Sequence, residues 1–528
     1  MMNNKTTLVE KRLLKLLNPQ ARTALFSSFL FGLFAHGSGL LNKLSHQDDI
    51  ANLFGFGATV TSGRWMLHML SWLEGLFFGT GNTSLPLYNG LLSILLIGSV
   101  CALLVDLLDI TNPVFSALMG CLTVSFPVMT ALFSYMFTSH PYMIGFLMMT
   151  VSACLICRKT PWWAKLFAVL LGGAATGVYQ AFLQVLLAIL LIYDFMTLRG
   201  NEPTKSVLLR IGIQVLCVAG ALLVYFGANQ FFLTKFDVTL TSYQGIDRMG
   251  VMSLATFLFR VGNAYRAFFF PSRSVAVDMT PGTLYPLYLL MLCANLVLAV
   301  RRLILLGRKN VLQALLLGIL FALIPLACNF IYIMSEDVHG LMIFGQTMHP
   351  VLLIAQLNSW EQESFRIAET EGRRNLRFRL TQGISLATSL LLAIACIMYA
   401  RFDNQCYLKD TLQQQEAMSY YTTVISQIKS QKGYTPDTPV CFVTDWSKLD
   451  PTIYNLPEMD FIHLNLYGHS TAEYIHIAKE YFMRAWCGFA PNWYWGEDPA
   501  DWPEVQAMPE YPADGSIQII RDVLIVKF

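Results

Sequence analysis

Charge is what this sequence is short of. Asp, Glu, Lys and Arg make up only 13% of its 528 residues against 55% that are hydrophobic, a balance that excludes an ordinary soluble domain. The formal net charge of +2 is small, and the basic residues fall in short blocks between apolar runs rather than along one face, which sets nucleic-acid binding aside. The Gly55-Phe56-Gly57 stretch lacks a preceding strand and a third glycine, so it is no dinucleotide site. Most of the eleven cysteines lie inside apolar runs (Cys101, Cys121, Cys154, Cys217, Cys293, Cys328, Cys396), where a thiol behaves as a small hydrophobe. Neither a zinc site nor a disulfide framework is therefore expected. A cleavable signal pattern is missing as well. The basic leader from Lys5 to Arg22 runs into an apolar stretch long enough to span and no clean small-residue cleavage site follows, so the first helix is expected to stay in the protein.

Long apolar runs are what the chain has in abundance. A bilayer core about 30 Å thick takes roughly 20 apolar residues as helix, and about eleven such runs occur. They lie near 23–41, 88–108, 114–134, 142–157, 165–178, 182–198, 211–233, 281–300, 311–333, 341–358 and 380–399. The fifth and sixth are separated only by Tyr179-Gln180, so together they read equally as a tight hairpin or a re-entrant element. After residue 400 the spanning runs stop, and Asp, Glu, Pro, Trp and Tyr become more frequent. There the pattern predicts a polar helix over about 408–432, a strand at Val440-Cys441-Phe442-Val443, a helix near 471–485, and a closing hairpin. That hairpin is Ile517–Ile520 and Val523–Val526 about Arg521-Asp522. The expected fold class is an all-α polytopic membrane protein of about eleven transmembrane helices, residues 1–400, followed by a small extracytoplasmic α/β domain, residues 401–528.

Lysine and arginine concentrate in alternate connections, and positive charge is retained on the cytoplasmic side. The richer set holds the N-terminus, Arg158-Lys159, Arg199/Lys205/Arg210, Arg301-Arg302/Arg308-Lys309 and Arg366 to Arg379. The N-terminus is thus expected inside and the C-terminus outside. On the outer side, leaving the C-terminal domain apart, the basic residues are Lys43 and Arg64 in one connection and Lys235, Arg248, Arg260, Arg266 and Arg273 in another. Within 251–270, Leu254, Phe257, Leu258, Val261, Tyr265 and Phe268 recur at helical spacing with Arg260 and Arg266 between them, as in a helix lying in the membrane interface.

Polar groups gather at the outer ends of the spans. Directly beyond the first run stand His46, Gln47, Asp48 and Asp49, with Ser62-Gly63-Arg64-Trp65 and His68 further along. A carboxylate pair is also what a solvated helix cap looks like, but acidic residues are otherwise scarce on this side between spans. Glu336, Asp337 and His339 form a second such cluster, whose ordinary reading is a polar turn. Arg260 and Arg266 suit either snorkelling to headgroups or a phosphate ligand, for which the guanidinium fork is fitted. Thr138-Ser139-His140-Pro141-Tyr142 and Tyr179-Gln180 place further polar groups at helix ends, where a lone His or Gln is more often structural. The tract Trp486, Trp493, Tyr494, Trp495 and Trp502 reads as interface anchoring in preference to sugar stacking.

An inside N-terminus, one span, an outer loop opening with Gln47-Asp48-Asp49 and continuing to Gly63-Arg64-Trp65, about ten more spans and a small outer C-terminal domain resemble the GT-C membrane glycosyltransferases. The chain is similar above all to the bacterial Gtr-type glucosyltransferases that decorate O-antigen and related surface polymers. The resemblance is specific around 46–65 and, more weakly, at Gly177-Val178-Tyr179-Gln180. It implies an inverting glycosyltransferase of the bacterial cytoplasmic membrane, moving a sugar, glucose in this family, from a polyprenyl-phosphate carrier to a surface or lipid-linked glycan on the outer face. It also implies Asp48 or Asp49 as catalytic base. Arg64, Trp65, His46, His140, Tyr179, Gln180, Arg260, Arg266, Glu336, Asp337 and His339 are the candidate substrate-binding residues. No cofactor is expected, although adjacent carboxylates also suit a divalent cation. The rival class is a transporter or flippase for lipid-linked sugars. It would show paired halves with helices broken near the midplane, whereas here the polar clusters sit at outer helix ends.

Overall fold

The computed structural model describes residues 18–44, 48–52, 59–81, 83–198, 202–242, 245, 252–271, 284–335, 337–371, 376–444 and 476–528. The chain divides into two compact units. The first comprises 1–43, 56–406 and 465–468, and the second 44–55, 407–464 and 469–528.

The first unit is a helical bundle. Its helices are α1 (Pro19–Leu41), then, beyond the four-residue α2 (Asp48–Ala51) of the other unit, α3 (Trp65–Phe78), α4 (Pro86–Leu107), α5 (Pro113–Val124), α6 (Pro127–Phe133), α7 (Met136–Cys157) and α8 (Trp162–Val178). They continue with α9 (Leu183–Thr197), α10 (Thr204–Phe236), α11 (Leu254–Phe269), α12 (Leu284–Gly307), α13 (Val311–Cys328), α14 (Ile331–Met334), α15 (Met348–Glu371) and the first part of α16 (Leu376–Ser430), whose residues from Tyr407 on belong to the second unit. Several starts are written locally. Asn18 and Asn112 accept from Ala21 N and Val114 N in front of Pro19 and Pro113, combining a side-chain cap with a proline where no backbone donor is needed. Pro127 likewise opens α6, and α5 and α6 meet at a 46° bend where proline breaks the hydrogen-bond ladder.

Eight described helices are long and apolar enough to cross a membrane, or nine if the bent pair is one span. The two remaining expected runs fold differently. Run 165–178 is the 17-residue α8. Run 341–358 begins as two 3-10 turns, Gly340–Met342 and Phe344–Thr347, before α15, whose later turns are polar. The fifth and sixth runs are not a hairpin packed on itself: α8 lies against α7 and α10, and α9 against α13 and α7. The polar helix expected after the last span is continuous with it in the 55-residue α16. Cys154 and Cys157 stand at C-x-x-C spacing, so the expectation that the cysteines form no such pair is corrected; both are buried free thiols at the end of α7, in keeping with their reading as small hydrophobes.

The second unit has a three-stranded sheet of β1 (Val440–Val443), β2 (Ile517–Ile520) and β3 (Val523–Lys527) in the order β1-β3-β2. β1 runs parallel to β3, and β2 pairs antiparallel with it. The hairpin falls where the sequence places it, and Arg521 and Asp522 take φ of 49° and 61°, the left-handed pair that a two-residue hairpin turn requires. One face of the sheet packs Val440, Leu524 and Val526 with Tyr421, Val424 and Ile428 of α16, with Phe482 and Met483 of α17 (Lys479–Trp486), and with Ile50. Val523 and Ile525 pack on the other face with Trp502, Val505 and Met508. Of the helix expected near 471–485, residues 471–475 lie outside the described residues.

Candidate active site

The Ser62-Gly63-Arg64-Trp65 stretch makes a tight turn before α3. Gly63 N and Arg64 N donate to Val60 O and Thr59 O, both at 2.9 Å. Gly63 has φ +72°, and a Cβ there would lie 2.8 Å from both Gln180 Nε2 and Tyr225 OH, so both conformation and space demand glycine. Gln180 Nε2 donates to Ser62 O at 2.8 Å and to Tyr225 OH at 3.1 Å. The amide is placed for this because α8 ends at Val178, Tyr179 is extended, and Gln180–Phe182 forms a 3-10 turn before α9.

Arg64 is held by aromatics. Its Nη1 donates to Tyr142 OH at 3.1 Å, and the guanidinium lies 5.0 Å from the centre of the Tyr179 ring, a cation–π arrangement. Tyr142 and Tyr179 are themselves stacked, 4.7 Å apart and 6° from parallel. Trp65 stacks on Phe232 of α10 at 5.6 Å, and its indole presses on Gly177, where a Cβ would come within 2.5–2.8 Å. Trp65 and Asn229 are 8% and 6% exposed, yet Trp65 Nε1 and Asn229 Oδ1 have no hydrogen-bond partner among the described residues. A buried donor and a buried acceptor without partners cost free energy unless a bound group meets them. This buried cluster therefore combines a rigid cation, two polar atoms without a partner among the described residues, and aromatic faces.

His140, also on α7, pairs through Nε2 with Glu74 Oε1 of α3 at 3.3 Å and meets the edge of the Tyr88 ring. His68 Nδ1 lies 3.4 Å from Thr59 Oγ1; burial first, and the Lys235 charge second, hold its pKa below the ordinary value.

The remaining predicted residues fall elsewhere. Arg260 of α11 donates to Ile333 O at 3.0 Å, while Arg266 is exposed in the last turn of the same helix. Asp337 is exposed and His339 precedes the first 3-10 turn. That segment reaches the Tyr179 region from its other end, since Phe344 lies 5.1 Å from Phe182 and 6.4 Å from Tyr179. His46 and Glu336 lie outside the described residues. Asp48 and Asp49 start α2 in the second unit, Asp48 exposed and Asp49 fully buried; α2 packs on α17 there. Among the described residues, no three His, Cys, Asp or Glu side chains gather where a metal ion could be held.

The structure thus brings Arg64, Trp65, Tyr179 and Gln180 together and adds four partners that sequence reasoning passed over as site residues: Tyr142, Tyr225, Asn229 and Glu74. A signal for them exists. Tyr225 and Asn229 are polar residues one turn apart in an apolar helix, and Glu74 is the sole carboxylate of α3.

A family model described as Glucosyl transferase GtrII matches residues 37–348, more than half of the chain and all of this cluster. No curated protein matches the chain.

Proposed function

The chain belongs to the glucosyl transferase GtrII family, and on that footing we propose that it transfers glucose from a polyprenyl-phosphate carrier to a surface or lipid-linked glycan on the outer face of the cytoplasmic membrane. Nucleotide sugars are cytoplasmic, so an external transferase needs a donor carried across the bilayer on a lipid. The observation that carries this reading is Arg64, fixed between Tyr142 and Tyr179 beside Trp65 Nε1 and Asn229 Oδ1, which have no partner among the described residues. A preoriented guanidinium is suited to a phosphate, and buried polar atoms without partners are suited to sugar hydroxyls.

The chemistry proposed is a GT-C-type single displacement with inversion at the anomeric carbon. The acceptor hydroxyl loses its proton to one carboxylate of Asp48-Asp49, its oxygen bonds to the anomeric carbon, and the carrier phosphate leaves with the bonding electrons. A glycosidase needs a second carboxyl group to protonate its leaving alcohol. A lipid phosphate already leaves as a stabilised anion, so positive charge takes the acid's place. Arg64 steadies that departing charge, and Arg260 or Arg266 holds the donor phosphate at headgroup depth.

The test is purified protein in lipid supplied with polyprenyl-phosphate sugars, varied one at a time, and a lipid-linked glycan acceptor. Transfer of glucose to the glycan is expected. Movement of the intact carrier across the bilayer without transfer would overturn the reading in favour of a flippase.

A further inference from the structure

A cavity of about 330 Å³ opens in the first unit between α12 and α15, and the candidate active site does not use it. Four cations line it: Arg301, Arg302, Lys309 and Arg366, against the single carboxylate Glu363. Two of the four are occupied. Arg301 donates to Glu363 Oε2 at 2.7 Å and lies 5.1 Å over the Trp360 ring. Arg302 donates to Met196 O and to Leu198 O, with its guanidinium 5.5 Å from the Phe195 ring. The side chains of Lys309 and Arg366 are exposed and make no hydrogen bond or ion pair among the described residues. The remaining wall is mixed: Leu298, Leu305 and Leu306 of α12 stand on one side, and Gln356, Ser359 and Gln362 of α15 on the other. On α12, Leu296, Val297, Val300 and Ile304 are exposed, as in a helix that faces acyl chains.

From this combination we infer that the cavity binds the phosphodiester headgroup of an anionic phospholipid. Two cations without a partner among the described residues, in a recess whose polar side carries Gln356, Ser359 and Gln362 and whose leucine side continues into the exposed apolar face of α12, match a phosphate carried on acyl chains, and basic recesses between membrane helices are a recurrent form of such sites. The volume is large enough for a glycerophosphate group. This is not the donor site. The cavity is lined by Leu198, just past one end of α9, and Tyr179-Gln180 stand before the other end, about 22 Å away at 1.5 Å per helical residue.

The experiment uses the full chain in nanodiscs of equimolar phosphatidylglycerol and phosphatidylcholine, with the lipid retained after release read by native mass spectrometry. Phosphatidylglycerol should be retained in preference, and Lys309→Gln with Arg366→Gln should weaken that retention roughly tenfold or more, since each basic residue contributes near a charged headgroup. Lys309→Arg, which keeps the charge, should retain it. Unchanged retention in the double variant, or no preference over phosphatidylcholine, would overturn the inference. So would full displacement of phosphatidylglycerol by millimolar inorganic phosphate, which would make this a site for a soluble anion.

Discussion

Arg64 owes its position to neighbours that fix a plane as well as a charge: a hydroxyl at its Nη1 and a ring beneath it. A lysine keeps the charge and loses both the fork and the stack. Arg64→Lys is therefore expected to lower glucosyl transfer roughly tenfold or more with unfolding temperature nearly unchanged, as removing one good electrostatic partner in a transition state does; wild-type turnover would detach Arg64 from the chemistry. Gly177 carries a steric argument, because an added methyl must displace the rigid Trp65 ring. Gly177→Ala should cost about 1–3 kcal/mol as an overpacked site, read from the midpoint of thermal unfolding, and should weaken donor binding through Trp65. The two aspartates separate by burial. Asp48 is exposed, whereas Asp49 is buried beside Ile50 in α2. Asp48→Asn is predicted to cut turnover by about 10²–10⁴ at unchanged stability, the usual loss for a general base, and Asp49→Asn to lower the unfolding temperature. Normal turnover in both variants would move the search to Glu336 and Asp337.

At the scale of the element, α11 was legible as an amphipathic helix from its spacing, and its bounds, Leu254–Phe269, follow the pattern closely. What its arginines do was not legible, because the same residues suit a snorkelling role. Alanine at both Arg260 and Arg266 should weaken donor affinity roughly tenfold, given about 1.5–3 kcal/mol for a hydrogen bond to a charged group; unchanged affinity returns both to the headgroup role. In the second unit, His476, just before α17, and Lys479 at its start carry a pH dependence. Burial, with Lys479 adding to it, pushes His476 down to about 4, and its Nδ1 stands 3.2 Å from Tyr421 OH. The unfolded chain binds this proton below about pH 6.5 and the folded one only near pH 4, so stability is full above 6.5 and falls as pH drops between those values. Unfolding temperature of the full chain should decline across that window, and His476→Gln should flatten the decline. Lys479, lowered to about 8 mainly by burial, acts in the alkaline window, where stability rises with pH between about 8 and its ordinary value.

For the whole molecule, the distribution of lysine and arginine predicts that the connection 42–87 and residues 400–528 face outward. In a background without native cysteines, a membrane-impermeant thiol reagent applied outside should label Thr80→Cys and leave Lys159→Cys unlabelled; the opposite pattern would invert the topology. The sequence by itself determined that this is a helical membrane protein with a small C-terminal sheet, because hydropathy over a helix length, proline and asparagine at helix starts and a two-residue turn all act between near neighbours in the chain. It also marked Arg64, Trp65, Tyr179 and Gln180 as polar or aromatic groups at helix ends. Only the tertiary structure decided which of them share a cluster. Gln180 meets Ser62 across 118 positions and Tyr142 meets Arg64 across 78, and no local periodicity encodes such a meeting. The same limit explains α2: two aspartates after a span look alike in sequence, and it is packing on α17 and the sheet, hundreds of residues later, that buries one and leaves the other exposed.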